Sequence, residues 1–255
     1  MSNKFNNKVA LITGSGSGIG QSTALKLAEQ GAHIIIVDLD IIAANKTKSM
    51  IVELGGKASA YQCDIANNAQ VKEVVGSMLK EHAIDMLINN AGIAHVGNLE
   101  NTTEEDLDRV YNVNVKGAYN MMSAIIASMK ERKSGVIVNI ASIAASVGIE
   151  DRFAYSMSKG AILTMTYSVA RDYIDHGIRC NCISPARVHT PFVDNFIEKN
   201  YPDNQEEIFN KLSKSQPIGR MGTVDEMSAI ISFLCSDDAA FITGSNIPID
   251  RGFVT

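Results

Sequence analysis

The sequence predicts a single α/β domain over residues 1–255, with a seven-stranded, mostly parallel sheet sandwiched between two layers of helices. Three observations carry that expectation. Apolar, β-branched runs recur along the chain without polar alternation, as strands buried on both faces require. Segments of helical periodicity separate them, and a glycine-rich turn follows the first run directly.

The first strand is expected over Val9 to Thr13, and the helix after the turn over Ile19 to Gln30. Ala32 to Asp38 reads as the second strand. Ala58 to Asp64, Met86 to Asn90, Gly135 to Ala141, Ile178 to Ser184 and Asn246 to Asp250 complete the sheet. Thr102 with Glu105 and Thr223 with Glu226 each fit a capping box, in which a hydroxyl and a later carboxylate satisfy free backbone donors at a helix start. Helical periodicity also runs from Tyr155 through Asp172. The stretch 186–216 breaks the rhythm. It is too long for an ordinary connection and carries prolines, aromatics and charges, so it is expected to be a substrate-binding loop or lid within the domain.

Composition narrows the function. Net charge is only −5, with acids and bases interspersed, so no basic footprint marks nucleic acid or anionic lipid as a partner. Of the four cysteines, Cys63, Cys180, Cys182 and Cys235, three fall in apolar runs and read as small core residues in a reducing compartment. Cys180 and Cys182 alternate within a predicted strand and lack zinc-knuckle spacing, so no metal is expected. The segment Met1 to Lys8 is polar, and no run is long and apolar enough to span a bilayer. A cytoplasmic protein with no membrane contact is the resulting expectation.

The turn from Thr13 to Gly20 spaces its glycines as Gly14, Gly18 and Gly20, which is not the common G-x-G-x-x-G pattern. Glycines there let backbone N–H groups approach a pyrophosphate at a helix N-terminus, as in a Rossmann-type, doubly wound sheet. Asp38 ends the second strand, where it could bond adenosine ribose hydroxyls and repel the extra phosphate of NADP; it could equally cap the segment Leu39 to Ala43. Ser15 and Ser17 stand where a basic residue would neutralise that phosphate, so NAD is expected rather than NADP. Asp64 could meet the adenine edge or serve as a cap, and the small residues of Asn89 to Gly92 allow close approach of a cofactor.

Tyr155 and Lys159 are four residues apart, on one helical face. A phenol titrates near pH 10, so it becomes a base at neutral pH only beside positive charge, which Lys159 could supply. Ser142 follows the fifth strand on the same sheet edge as the glycine turn, and its hydroxyl could hold a substrate oxygen. Asn114, polar within a helical run, could disturb local hydrogen bonding and hold a water, or could simply pack at a helix surface.

Taken together with the Pro185 turn, Thr190, the Phe241 to Gly244 tail and Asp250, these motifs resemble the short-chain dehydrogenase/reductase family along essentially the whole chain. The resemblance implies a catalytic tetrad. Tyr155 would be the general acid/base, Ser142 would orient the reacting oxygen, Lys159 would lower the tyrosine pKa and hold a ribose, and Asn114 would anchor a relay water. It implies cofactor contacts at Gly14, Ser17, Gly18, Ile19, Gly20, Asp38, Asp64, Ile65, Asn90, Ala91, Gly92, Tyr155, Lys159, Val188 and Thr190, and a homotetramer. Two positions depart from the family pattern: Ala186 follows Pro185 where glycine is usual, and Arg251 stands between Asp250 and Gly252 where glycine is usual.

Polar groups expected near the substrate end, beside Ser142 and Tyr155, are His95, Glu150, Arg152, Arg187 and His189. A polar pocket suits a hydroxyl-rich small molecule, and arginines suit a carboxylate, although they could also form surface or intersubunit ion pairs. Ser184 to Pro191 is similar to sugar-pathway members such as fucose or deoxy-fuconate dehydrogenases. The leading expectation is an NAD-dependent oxidoreductase of a sugar, polyol or sugar acid. The alternatives are a 3-oxoacyl-[acyl-carrier-protein] reductase and a catalytically inactive nucleotide-binding regulator.

Overall fold

Alternate residues of the central strands feed two separate cores, so those strands are apolar along most of their length. The computed structural model describes residues 4–254; residues 1–3 of the polar leading segment and residue 255 lie outside that range. The strands are β1 (Val9–Thr13), β2 (His33–Asp38), β3 (Lys57–Gln62), β4 (Met86–Asn89), β5 (Gly135–Ile140), β6 (Ile178–Pro185) and β7 (Asn246–Ile249). Ile12, Ile34, Ile36, Ile88 and Val138 enter one core with Leu27 of α1 (Gly18–Glu29) and Ile231 and Leu234 of α9 (Val224–Cys235). Leu11, Ile35, Val37, Leu87 and Ile137 enter the other, with Val75 and Met78 of α3 (Asn68–Glu81) and Met121, Ile125 and Met129 of α5 (Gly117–Arg132).

Strand order is β3-β2-β1-β4-β5-β6-β7, and every pairing is parallel, where the sequence suggested only a mostly parallel sheet. The chain winds outward from β1 to β3, then returns to β4 and winds the other way, so the helices after β1 and β4 diverge and leave a crevice at the carboxyl ends of those strands. Several strands stop short of expectation: β3 ends at Gln62 rather than Asp64, and β4 at Asn89 rather than Asn90. The polar residues beyond these ends belong to the crevice loops.

Capping explains the helix starts. The box at Thr223 and Glu226 is complete. The one expected at Thr102 is displaced by a residue: Thr103 caps α4 (Glu104–Val110) by accepting from the Asp106 N–H, while the Thr102 hydroxyl donates to the Asn98 carbonyl. Asp40, not Asp38, caps α2 (Ile41–Glu53). Between α4 and α5 the helix widens into a π-helical segment, Tyr111–Lys116. The stretch expected to be a loop instead folds into α7 (Pro191–Asn200) and α8 (Gln205–Lys214), the latter burying no residue fully. All four cysteines are buried free thiols, and burial pushes Cys63 and Cys182 each up to about 11. Among the described residues no helix is long and apolar enough to cross a membrane.

Helix α9 carries no basic residue in its last turn, and Arg179 of β6 supplies that charge from outside the helix. Its guanidinium donates to the carbonyls of Leu234 at 2.9 Å and Ser236 at 3.0 Å. Replacement by a side chain of similar length without the donors, Arg179→Met, is expected to lower the unfolding free energy by about 2–3 kcal/mol in denaturant titration.

Candidate active site

The crevice opens into a cavity of about 550 Å³ that runs from the glycine turn to α7 and α8. Its nucleotide end is held by hydrogen bonds between β1 and β4. Asn90 donates both side-chain N–H groups, to the carbonyls of Thr13 and Gly14, each at 2.9 Å. The Thr13 hydroxyl accepts from the backbone N–H groups of Asn90 and Ala91, both at 3.0 Å. Gly14 has φ +62°, and a Cβ there would stand 2.8 Å from Ala91 Cα, so residue 14 cannot carry a side chain and keep this closure.

Asp38 fixes the other side of the turn, its carboxylate accepting from the Gly16 N–H at 2.8 Å and from the Asp40 N–H at 3.0 Å. It still lines the cavity and is half-buried. The N-terminus of α1 is left without a side-chain cap, as are those of α7 and α8: Ser17 makes no cap bond, and no acid sits in the first turn. Uncapped donors, a glycine at residue 14 that lets the backbone approach closely and a carboxylate on the flank fit a dinucleotide, with pyrophosphate at α1 and a ribose at Asp38.

At the chemical end, Ser142, Tyr155 and Lys159 line one wall. Tyr155 and Lys159 come from α6 (Phe153–Asp172), and Ser142 from the short turn after β5. The Ser142 Oγ accepts from the Ala144 N–H at 3.2 Å, which leaves its own proton free to point at the phenol. Burial raises the Tyr155 pKa above its ordinary 10.0, and the Ser142 hydrogen bond and then the Arg152 charge oppose that rise. The Lys159 ammonium, 6 % exposed, donates to the Ile140 carbonyl at 2.7 Å and stands 5.6 Å from the centroid of the tyrosine ring. Burial brings its pKa down to about 8.

The widened helix delivers Asn114. Its side chain donates to the Ile93 carbonyl and the Ser158 hydroxyl, each at 2.9 Å, and accepts from the Ile93 N–H at 2.8 Å. It therefore clamps the loop after β4 to the helix carrying Tyr155. A Cβ at Gly92 would lie 3.2 Å from Asn114 Oδ1 and 3.6 Å from Lys159 Nζ, so glycine keeps open the space between them.

Ser17, Gly18, Ile19, Asp64, Ile65, Val188, Thr190, Arg152 and Arg187 also reach the cavity wall. Gly20 does not, because it is buried behind the turn where a Cβ would meet Asn90 Nδ2 at 2.5 Å. Two expected substrate residues lie beside acids instead. His95 Nδ1 sits 3.4 Å from Asp106, and His189 Nε2 sits 3.0 Å from Asp194 while its ring packs on Phe209; neither is on the cavity wall. Phe192, Phe196, Leu212 and Gln216 are lining residues that the sequence did not single out. The spacing of Phe192, Val193 and Phe196, one face of a helix, was the available signal.

A family model described as enoyl-(acyl carrier protein) reductase matches residues 14–254. The cyclohexanol dehydrogenase of Acinetobacter sp. (strain SE19) is 38% identical over 257 residues, covering 100% of this chain and 98% of its own. The crystal structure of a levodione reductase superposes with a TM-score of 0.94 at 32% identity, over 97% of this chain and 98% of that one. An NAD+-bound xylitol dehydrogenase superposes at 0.91 with 34% identity, over 98% of this chain and 100% of that one.

The Lys159 ammonium gives the site a measurable pH signature. Its folded pKa of about 8 lies below the ordinary 10.5, so the unfolded chain binds more protons between those values, and stability rises with pH across that window. The stability of the parent protein minus that of Lys159→Met is therefore expected to grow by on the order of 3 kcal/mol from pH 8 to pH 10.5 in chemical unfolding. A flat difference would place the ammonium in a wetter setting.

Proposed function

The chain belongs to the short-chain dehydrogenase/reductase family, and on that premise we propose that it is an NAD-dependent dehydrogenase of a sugar, polyol or sugar acid. The observation that carries the reading is the convergence of the Ser142 hydroxyl, the Tyr155 phenol and the Lys159 ammonium on one wall of the cavity that also holds the glycine turn and Asp38. The reaction interconverts a secondary alcohol and a ketone, and the bound nicotinamide supplies the hydride donor or acceptor.

Tyr155 does the proton work. Its raised pKa keeps the phenol neutral near pH 7, ready to donate to a ketone oxygen that Ser142 also holds. In the alcohol-oxidising direction the phenolate form is needed, and Arg152, Lys159 and the positive ring of an oxidised nicotinamide would favour it. Oxidation should therefore speed up as pH rises toward 10, and reduction should slow. Lys159 retains ammonium protons beyond the one given to Ile140, which suits them to ribose hydroxyls. Asn114 would anchor the relay water at its remaining Oδ1 lone pair, beside the space that Gly92 leaves.

Asp38 and the absence of a basic side chain among Ser15, Ser17 and Leu39 support NAD over NADP. The names of the relatives, which are a cyclohexanol dehydrogenase, a levodione reductase and a xylitol dehydrogenase, support a cyclic or polyhydroxylated small molecule as substrate. Residues 186–216, with Phe192, Phe196 and Leu212 over the substrate end, would serve as the lid. For the homotetramer, support comes from an apolar groove between α5 and α6, lined by Met122, Ile126 and Met165, with Tyr119 and Tyr167 exposed at 55% and 43%.

Tyr155→Phe is expected to lower kcat by about 10²- to 10⁴-fold while leaving dinucleotide affinity within a few-fold, read from reduced-nicotinamide absorbance and a direct binding titration. Full turnover by that variant would remove the acid/base assignment. Asp38→Ala should cut the NAD to NADP affinity ratio by about tenfold or more, the effect of one removed charge at short range.

A further inference from the structure

Two guanidinium groups line the cavity, and among the described residues neither has an ion-pair partner. Arg187 follows β6, and its backbone is tied down on both sides. Its carbonyl accepts from the Gly222 N–H at 2.8 Å, and the flanking N–H groups of Ala186 and His189 bond the carbonyls of Ile249 at 3.1 Å and Gly222 at 2.9 Å. The side chain is half-buried on the cavity wall, and among the described residues its guanidinium has no hydrogen-bond or ion-pair partner. Arg152 immediately precedes α6, three residues before Tyr155. Its guanidinium lies 5.5 Å from the centroid of the Phe196 ring and gives one N–H to the Asp151 carbonyl at 2.7 Å, which leaves most of its donors free.

The two charges feel one another. Burial first, and then the Arg152 charge, lower the pKa of Arg187, and the same charge acts on the Tyr155 phenol. Arg152, Arg187 and Tyr155 line the same cavity. Like charges sharing a half-buried cleft repel, and that cost is relieved when an anion fits between them. The acids on the cavity wall, Asp38 and Asp64, stand at the nucleotide end, just beyond β2 and β3. Phe196 lies against Arg152 and Gln216 accepts from the Arg187 backbone N–H, and the apolar Ile149, Val193 and Leu212 line the same cavity.

We propose that Arg152 and Arg187 form a carboxylate clamp, so that the substrate is a hydroxy acid, or its oxo acid, whose reacting carbon lies a few bonds from the carboxylate. Planar guanidinium forks match a carboxylate bidentately, and two of them fix both its position and its plane. The inference rests on the dehydrogenase reading above and narrows it from polyols and sugars to acids. Phe196, by stacking on Arg152, makes α7 part of the clamp.

The test uses the full chain with NAD and matched pairs of substrates: aldonates against alditols, and 2- and 3-hydroxy acids against their carboxamides, with a polyol monophosphate as a further anion. The acid of at least one pair is expected to have a kcat/KM about tenfold or more above its neutral partner and above the phosphate. Arg187→Gln and Arg152→Gln should each reduce that acid-to-neutral ratio by about 10- to 100-fold, mainly through KM, and Arg187→Lys should recover part of it. Neutral alcohols turned over as well as their acids, a ratio unmoved in both variants, or preference for the phosphate would each overturn the clamp while leaving the dehydrogenase intact. Should no alcohol or ketone react, the dehydrogenase reading fails, and calorimetric binding of gluconate and the hydroxy acids to the NAD-loaded protein decides the clamp separately. Binding weakened by Arg187→Gln would support it, and its absence in the parent would overturn it.

Discussion

The site depends on the closure that Thr13 and Asn90 make between the ends of β1 and β4. These neighbouring strands continue in opposite directions around the sheet, so nothing in the ladder itself holds their loops together. One hydroxyl and one carboxamide satisfy four backbone groups across that gap. With the turn fixed, Asp38 can hold it from the opposite side, and the uncapped start of α1 faces the cavity. Unsatisfied backbone groups at such a junction would cost roughly 1–3 kcal/mol each, so the turn needs this network as well as the glycine at residue 14.

The chemical end shows a second constraint, the conflict between burial and charge. A phenol and an ammonium share one wall, and burial pushes both toward their neutral forms, the phenol up and the ammonium down to about 8. Hydrogen bonds work against that drift: Ser142 toward the phenol, the Ile140 carbonyl toward the ammonium. The π-helical widening at Tyr111–Lys116 belongs to the same design. A regular helix would rotate residue 114 to a different bearing; the extra residue in the turn turns the carboxamide onto both Ile93 and Ser158. The helix carrying the tyrosine is thereby registered against the loop that follows β4.

Much of this was legible in the residues alone, for reasons that also show where legibility ends. Short, β-branched apolar runs such as Ile34 to Val37 read as strands covered on both faces, and the four-residue spacing of Tyr155 and Lys159 puts both on one face of α6. The imidazoles were placed by their nearness in sequence to strand ends. That guide fails once an acid from another element competes: Asp106 on α4 takes His95, and Asp194 on α7 takes His189. Likewise α7 and α8 were hidden because they bury little, so their pattern is set by a cavity wall and not by a core. Asn114 was marked as an irregularity in a helix, but the clamp it forms needs partners 21 and 44 residues away that no local pattern reveals.

The last strand has a consequence for how copies of this molecule can meet. β7 is an edge strand, and its bonds to β6 run through Ser245 and Ile249, so the intervening Pro248 turns its nitrogen toward the open rim. Proline has no hydrogen to offer there, which interrupts the row of donors that a foreign strand would need to zip onto the sheet. Contact between molecules at that rim must then be made by side chains, and the rim is a poor template for open-ended, fibril-like growth.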